Sequence, residues 1–150
     1  MTTNIFRSFN EAPRGFSYRF VVDHTDLTES TANTAQNVTL VTLPANSVVL
    51  RAATYLKTPF QDTADAAFNS TALIVGDSGD TDRYITSQQL NVNGTEVLAK
   101  AHASSTTPWA YESATAVVAN FASMSAKNLA ALNAGEVHIF LEVAQLDTLT

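Results

Sequence analysis

The residues most suggestive of chemistry in this sequence form the tetrapeptide Gly76-Asp77-Ser78-Gly79. A serine in a tight, glycine-rich turn can act as a nucleophile when a histidine accepts its proton and backbone N–H groups stabilise the oxyanion. His24 lies upstream, but Asp80 follows directly and would place negative charge beside that oxyanion. Asp, Ser and Gly are equally the residues that form turns. The tetrapeptide therefore predicts a turn between two strands, and we predict no catalytic residue.

Three carboxylates, those of Asp77, Asp80 and Asp82, fall within six residues of this turn. Calcium binds several oxygen ligands held close together, so these three residues are candidate metal ligands. The spacing differs from that of an EF-hand loop, and Arg83 follows immediately. The alternative interpretation is a solvated acidic turn whose charge is partly offset by Arg83. We predict no cofactor.

A second candidate site is the aromatic pair Trp109 and Tyr111, which follows Pro108. The pair is a possible contact for a glycan or a protein partner if it is exposed, because such rings present a large apolar surface with a polar tip. The alternative is that it closes the end of a hydrophobic core. The histidines, at positions 24, 102 and 138, are too widely separated to predict a ligand set.

The elements that position these residues are predicted to be strands. Hydrophobic residues alternate with polar ones in short segments, and no segment shows sustained helical periodicity. The predicted strands are 16–23, 37–43, 48–57, 71–76, 83–87, 115–121 and 136–146. Segments of this length separated by turn residues are typical of a sandwich or barrel.

Several connections carry their own predictions. Thr58-Pro59 is expected to end the third strand, and Gly135 to end one or two helical turns within 125–133. One helical turn is possible within 62–68. The segment 88–103 is left open between a hairpin at Asn93-Gly94 and a helix.

The N-terminal residues 1–15 are predicted to form an arm, and residues 16–150 a single domain. The arm is polar apart from isolated aromatic residues. One interpretation is a frayed terminus. The other is an arm that binds a neighbouring subunit through Phe6, Arg7, Phe9 and Arg14.

Composition excludes several functions. The chain is 45% hydrophobic but only 15% charged, with a net charge of −6. Nucleic acid and anionic membranes are therefore not expected partners, because a negative chain without a basic run is repelled by phosphate. There is no cysteine, and the N-terminus lacks the apolar stretch of a signal peptide, which favours synthesis in a cytoplasm. A surface of uncharged polar residues is compatible with packing against other subunits.

Over roughly residues 37–146 the sequence resembles the small jelly-roll decoration, or cement, proteins of tailed bacteriophage capsids. The segments that carry the resemblance are Leu43-Pro44-Ala45 to Leu50-Arg51, Thr58-Pro59-Phe60, the run from Leu73 to Tyr84, and the run from Ala134 to Phe140. The resemblance implies an all-β, antiparallel, jelly-roll-like sandwich of about eight strands with a flexible N-terminal arm. The resemblance implies no catalytic residue for this sequence.

The function implied by this resemblance is that of a virion structural protein. Such a protein would form a homotrimer, bind major capsid protein on the outer surface of the virion and stabilise the contacts between capsid subunits. It would be made in the host cytoplasm and would not be an enzyme. The alternative is a carbohydrate- or receptor-binding module of a phage tail or fibre, with Trp109 and Tyr111 as the contact.

Overall fold

The computed structural model describes residues 1–5, 16–91, 102–105 and 108–146, with the backbone alone described for 3–5 and 102–105. These residues form ten strands and two single-turn 3-10 helices, at His24–Asp26 and Leu129–Ala131. The strands are β1 (Thr2–Ile5), β2 (Tyr18–Asp23), β3 (Gln36–Leu43), β4 (Ser47–Gln61), β5 (Ala72–Gly76), β6 (Ile85–Gln89), β7 (His102–Ser105), β8 (Trp109–Tyr111), β9 (Thr115–Ala122) and β10 (Ala134–Gln145). No helix among the described residues has the length and apolar character needed to cross a bilayer.

The strands form two antiparallel sheets. In the larger sheet the order is β1-β2-β10-β4, and the outer edge of β4 is shared by β7 and β8. In the smaller sheet the order is β3-β9-β5-β6. The predicted antiparallel β-sandwich is thus confirmed.

The connectivity is that of a jelly roll. If β1 is set aside and β7 and β8 are counted as one interrupted strand, eight strands remain. Numbered from β2 as the first strand to β10 as the eighth, they are ordered 1-8-3-6 in the larger sheet and 2-7-4-5 in the smaller one. This is the arrangement of two interleaved Greek keys. The jelly-roll prediction from sequence therefore holds for topology as well as for class.

The core lies between the sheets and is built by the predicted alternation. In β10 the side chains of Val137, Ile139 and Leu141 are fully buried while their neighbours along the strand are only half-buried. Other fully buried residues come from both sheets: Phe20, Val22, Val49, Leu43, Leu73, Val75, Val117, Ala119 and Phe121. Their burial is the main favourable contribution to folding.

The predicted end of the third strand at Thr58-Pro59 is wrong, because β4 continues to Gln61. Proline lacks the N–H that a ladder needs, so it is tolerated where pairing is interrupted. Pro59 lies in such an interruption: β7 pairs only with the 52–55 segment of β4, and the register with β10 shifts beyond Thr58. The strand therefore passes through the proline without losing a regular hydrogen bond.

The same strand also contains a bulge that uniform alternation does not predict. Val49 and Ala52 are both buried, whereas Leu50 between them is 38% exposed. The register with β10 shifts at this point, from Arg51 opposite Glu142 to Val49 opposite Val143. The bulge lies between the segment that pairs with β8 and the segment that pairs with β7.

The prediction that Gly135 ends a helix is wrong as well. Gly135 lies inside β10 with a φ of 145°, and the 3-10 turn ends four residues earlier at Ala131. A Cβ at this position would lie 2.4 Å from the ring of Phe60. Glycine is needed here both for its backbone conformation and for the close approach of β4. The 62–68 segment forms turns and no helix.

Candidate functional site

The Gly76-Asp77-Ser78-Gly79 segment ends β5 and begins the turn to β6. The turn is organised by the carboxylate of Asp77, which is only 4% exposed. Its Oδ1 accepts hydrogen bonds from the backbone N–H groups of Gly79 and Asp80, at 2.8 and 3.0 Å. This is the self-stabilised turn that the residue types predicted.

The second oxygen of Asp77 accepts two further hydrogen bonds. Arg83 Nε donates to Oδ2 at 2.7 Å, and the hydroxyl of Tyr111 donates to the same atom at 2.7 Å. The hydroxyl of Tyr111 is in turn hydrogen-bonded to that of Tyr84, which is buried. We call Asp77, Arg83, Tyr84, Trp109 and Tyr111 the Asp77 network.

Trp109 joins the network through its ring. The guanidinium carbon of Arg83 lies 3.7 Å from the ring centroid, the geometry of a cation–π contact. The ring is 44% exposed, whereas Tyr111 is only 7% exposed. The two interpretations of this pair therefore divide between its members: Tyr111 closes the core, and Trp109 lies at the surface with Arg83 against its face.

The surroundings shift the acidities of this network. Burial by itself raises the pKa of Asp77, but hydrogen bonds from Arg83, Tyr111 and the turn outweigh it and hold the pKa below its usual value. Burial raises the pKa of Tyr84 to about 12, and the pKa of Tyr111 also lies above its usual value, chiefly through burial. Asp77 is thus a carboxylate and both tyrosines are neutral hydrogen-bonding groups at neutral pH.

His24 cannot act as the general base for Ser78, because the two residues lie far apart in the fold. His24 follows β2, at the start of the connection to β3, and Ser78 follows β5. Because β3 and β5 both run antiparallel to β9, these two positions lie at opposite ends of the sandwich. The one carboxylate buried beside Ser78 is hydrogen-bonded to Arg83 and Tyr111 rather than to a histidine.

The carboxylates of the predicted metal ligands Asp77, Asp80 and Asp82 do not form a cluster that could hold a metal ion. Asp77 faces Arg83, while Asp80 is 3.8 Å from the Arg83 guanidinium with a side chain that is 44% exposed. Within the described parts of the chain, no group of three or more His, Asp or Glu side chains is arranged to hold a metal ion. The predicted partner-binding residues Phe6, Arg7, Phe9 and Arg14 lie outside the described residues, as does Asn93-Gly94.

The outer face of the larger sheet holds residues that sequence reasoning did not single out. Arg51 is paired with Glu142, and Lys57 Nζ lies 2.9 Å from Glu136. Aromatic rings lie between these pairs: Phe16 and Phe140 have centroids 5.5 Å apart, and Arg51 lies 4.5 Å from the Phe16 ring. The sequence does contain opposite charges on the two strands that carry these pairs, β4 and β10. Recognising which of them pair, however, requires knowing which strands are neighbours and in what register.

A small pocket of about 180 Å³ opens on the outer face of the smaller sheet. Its lining comes from β3, β5 and β9 and from the turn after β5: Asn37, Gly76, Asp77, Ser78, Thr81, Ala116, Val118 and Asn120. Asp77 is the member of the Asp77 network that lines this pocket. The sequence indicated the turn but not the pocket, which needs three strands from distant parts of the chain.

No model of a known protein family matches the chain, and no curated protein matches it. Solved structures, in contrast, match the fold of the chain. The fold matches a chain in the structure of the cyanophage Pam1 capsid asymmetric unit, with a TM-score of 0.56 and 21% identity over 83% of this chain and 79% of that one.

A second match is a chain in the acid-stable capsid structure of Helicobacter pylori bacteriophage KHP30. Its TM-score is 0.51, with 17% identity over 85% of this chain and 88% of that chain. At these identities the similarity is one of fold, and it extends over most of both chains. The resemblance to a phage capsid component that the sequence predicted is confirmed for the fold.

Proposed function

We propose that this chain is a virion structural protein of a tailed bacteriophage. In this proposal it is a decoration protein that binds the outer surface of the capsid as a homotrimer and stabilises contacts between major capsid protein subunits. The observation that carries the proposal is the match, over 83% and 85% of the chain, to chains in two phage capsid structures.

The candidate site supports a structural role over a catalytic one. The side chains that could do chemistry are hydrogen-bonded to one another: Asp77 to Arg83 and Tyr111, and Tyr111 to Tyr84. A buried network satisfied in this way fixes the turn after β5 against β8. The turn is then a rigid part of the surface rather than a reactive centre.

The experiment that tests the proposal is co-sedimentation with empty capsids assembled from the major capsid protein of the same phage. We expect saturable binding at micromolar concentration and a higher temperature of capsid disruption in its presence. The control is a variant with Phe6, Arg7, Phe9 and Arg14 all replaced by serine, which should bind more weakly if the arm contributes to attachment. Absence of binding by the unaltered protein at 10 times that concentration would contradict the proposal.

The exposure of Trp109 favours a second candidate, a carbohydrate- or receptor-binding module of a tail or fibre. The ring is 44% exposed, and Arg83 lies against one face, which leaves the other for stacking on a sugar. A glycan array tests this candidate. A signal that is lost in Trp109→Ala, in a protein that does not bind capsids, would favour it over decoration.

A further inference from the structure

Within the described parts of the chain, the strands of the smaller sheet contribute no charged side chain to its outer face. The chain contains 8 Lys and Arg and 14 Asp and Glu residues, yet none of them lies in β3, β5, β6 or β9. We call this surface the charge-free face; it comprises the outward-pointing residues of these four strands, among them Thr39, Ile74, Ser87, Ala116, Val118 and Asn120. Four adjacent strands without one ionisable group form an unusual surface on a soluble protein.

The outer face of the larger sheet is the internal reference. It has the same pleat and a greater extent, and it carries the Arg51–Glu142 and Lys57–Glu136 pairs. The β-sandwich fold therefore does not require an outer face without charge. The absence of charge is therefore a property of the sequence of the smaller sheet.

The residues of the charge-free face are suited to burial. Ala116 and Val118 on β9 and Ile74 on β5 are small or apolar and already half-buried by their neighbours. The amides present are paired locally, since Asn120 Nδ2 donates to Asn37 Oδ1 at 2.7 Å. Removing such groups from water costs far less than removing charges, and the cores of protein interfaces are depleted of charge for this reason.

The charge of the chain indicates what covers this face. Each copy carries a net charge of −6, so two copies repel each other over most of their surfaces. The charge-free face is a surface where a second copy can approach without bringing carboxylates together. Asp77, which lines the pocket on this face, is paired with Arg83.

The dimensions also fit a second copy. Four strands at about 4.8 Å spacing and a longest strand of eight residues give a face of roughly 19 by 26 Å before side-chain relief is counted. That is of the same order as the roughly 800 Å² that each partner buries in a standard interface. The pocket of about 180 Å³ on this face offers a cavity for a side chain of the neighbouring copy.

We propose that the charge-free face is the surface through which copies of this chain associate. The inference deepens the proposed function, because it names the surface that would hold the trimer together, but its test needs no capsid. A closed trimer is built from heterologous contacts, so each copy would present two different parts of this face toward the axis, one to each neighbour. The larger sheet, with its charged pairs, then faces away from the axis.

The test is the solution mass of the protein by light scattering and sedimentation, in matched variants. Ala116→Glu places a carboxylate on the charge-free face, and Ala53→Glu places the same group on the outer face of the larger sheet, opposite Phe140. We expect the unaltered protein to have a mass three times that of the 16.1 kDa chain. Ala116→Glu should raise the dissociation constant by at least tenfold, and Ala53→Glu should leave it within about twofold.

A further variant protects the test against misfolding. Thr39→Glu introduces the carboxylate at an exposed position of β3, where folding is not at risk, and should also weaken association. Amide exchange should slow in β3 and β9 on going from dilute to concentrated protein. A circular dichroism spectrum that matches that of the unaltered protein would show that a variant is folded.

The outcomes separate this inference from the proposed function. A dimer disrupted by Ala116→Glu would support the charge-free face and contradict the trimer. A monomer whose binding to capsids is lost in Ala116→Glu would assign the face to the capsid and overturn the inference while supporting decoration. Equal effects of Ala116→Glu and Ala53→Glu, or dissociation only in the latter, would overturn it outright.

Discussion

The two ends of the sandwich are stabilised in different ways. At one end, which we call the Asp77 end, the connections 44–46, 77–84 and 112–114 are short, and the charges of Asp77 and Arg83 are largely removed from water. At the other, the loop end, the longer connections 24–35, 62–71 and 123–133 meet one another at the surface. The polar contacts at the loop end are made mainly by backbone groups and partly exposed side chains, although these connections also bury Leu27, Phe68, Leu129 and Leu132 in the core.

Individual contacts show the contrast. At the loop end Asn33 accepts a hydrogen bond from Ala126 N and donates its own N–H to Lys127 O, and Lys127 pairs with Asp65 at the surface. At the Asp77 end one carboxylate accepts hydrogen bonds from two backbone amides, a guanidinium and a phenol. Losing one surface contact leaves the other surface contacts in place, whereas losing one member of a buried network leaves its partners without hydrogen bonds and costs more stability. The Asp77 end should therefore respond more strongly to single substitutions.

The largest effect should follow from Gly76→Ala at the Asp77 end. A Cβ at Gly76 would lie 2.1 Å from the backbone oxygen of Asp80 and 2.5 Å from the carbonyl carbon of Thr81. Since both contacts are backbone, the turn must move, and we expect a loss of about 3 kcal/mol or more in the free energy of unfolding. Gly79→Ala in the same turn is the control; there the nearest atom is 3.3 Å away and the loss should be below about 1 kcal/mol. Equal urea midpoints for the two variants would show that the turn is not rigid.

Asp77→Asn should have the next largest effect. The amide keeps the shape of the side chain but removes the shorter of the two ion pairs of Arg83, which is 15% exposed, and leaves only the 3.8 Å contact with Asp80. We expect a loss of about 2 to 3 kcal/mol, at the lower end of values for broken buried pairs because Arg83 keeps some contact with water. Asp80→Asn, at a side chain that is 44% exposed, should change stability by less than about 0.5 kcal/mol. The chemical denaturation midpoints of both variants measure the difference, and a larger loss in Asp80→Asn would contradict the role given to Asp77.

The pH dependence of stability should carry the same signature. Because the folded pKa of Asp77 is lowered from 3.8, its contribution is present at neutral pH and is lost as the pH falls below about 4. Because the folded pKa of Tyr84 is raised from 10 to about 12, its contribution is present below pH 10 and is lost between pH 10 and 12. Melting curves across pH for the unaltered protein and for Asp77→Asn should converge in acid. A constant difference down to pH 2 would contradict the acid part.

The smallest effect is expected at the loop end, from Lys127→Met. The side chains of the Lys127–Asp65 pair are partly exposed, so its loss should lower stability less than Asp77→Asn does, and 1 M salt should mask the effect. Melting with and without salt measures this. A loss as large as that of Asp77→Asn would remove the contrast between the two ends.

Much of the fold could be predicted from the sequence because β-strands leave a local pattern. In β10 the alternation of Val137, Ile139 and Leu141 with polar neighbours identified both the strand and its buried face. The predictions failed where pairing partners, not the strand itself, decide the geometry. Pro59 is tolerated because the register between β4 and β10 shifts there, and Leu50 is exposed because a second shift against β10 forms a bulge between the parts of β4 that pair with β8 and β7.

The candidate site shows the same division. Local residue types were enough to predict a self-stabilised turn at Asp77, an aromatic pair at Trp109 and Tyr111, and a series of alternating strands. That the turn and the pair belong to one network follows from the packing of the fold, which brings together two residues 34 positions apart in a hydrogen bond. Local residue types set which turns and strands form, since those depend on neighbouring φ, ψ and side-chain preferences. Which of them meet depends on how the two sheets close over the core, and no local pattern encodes that distance.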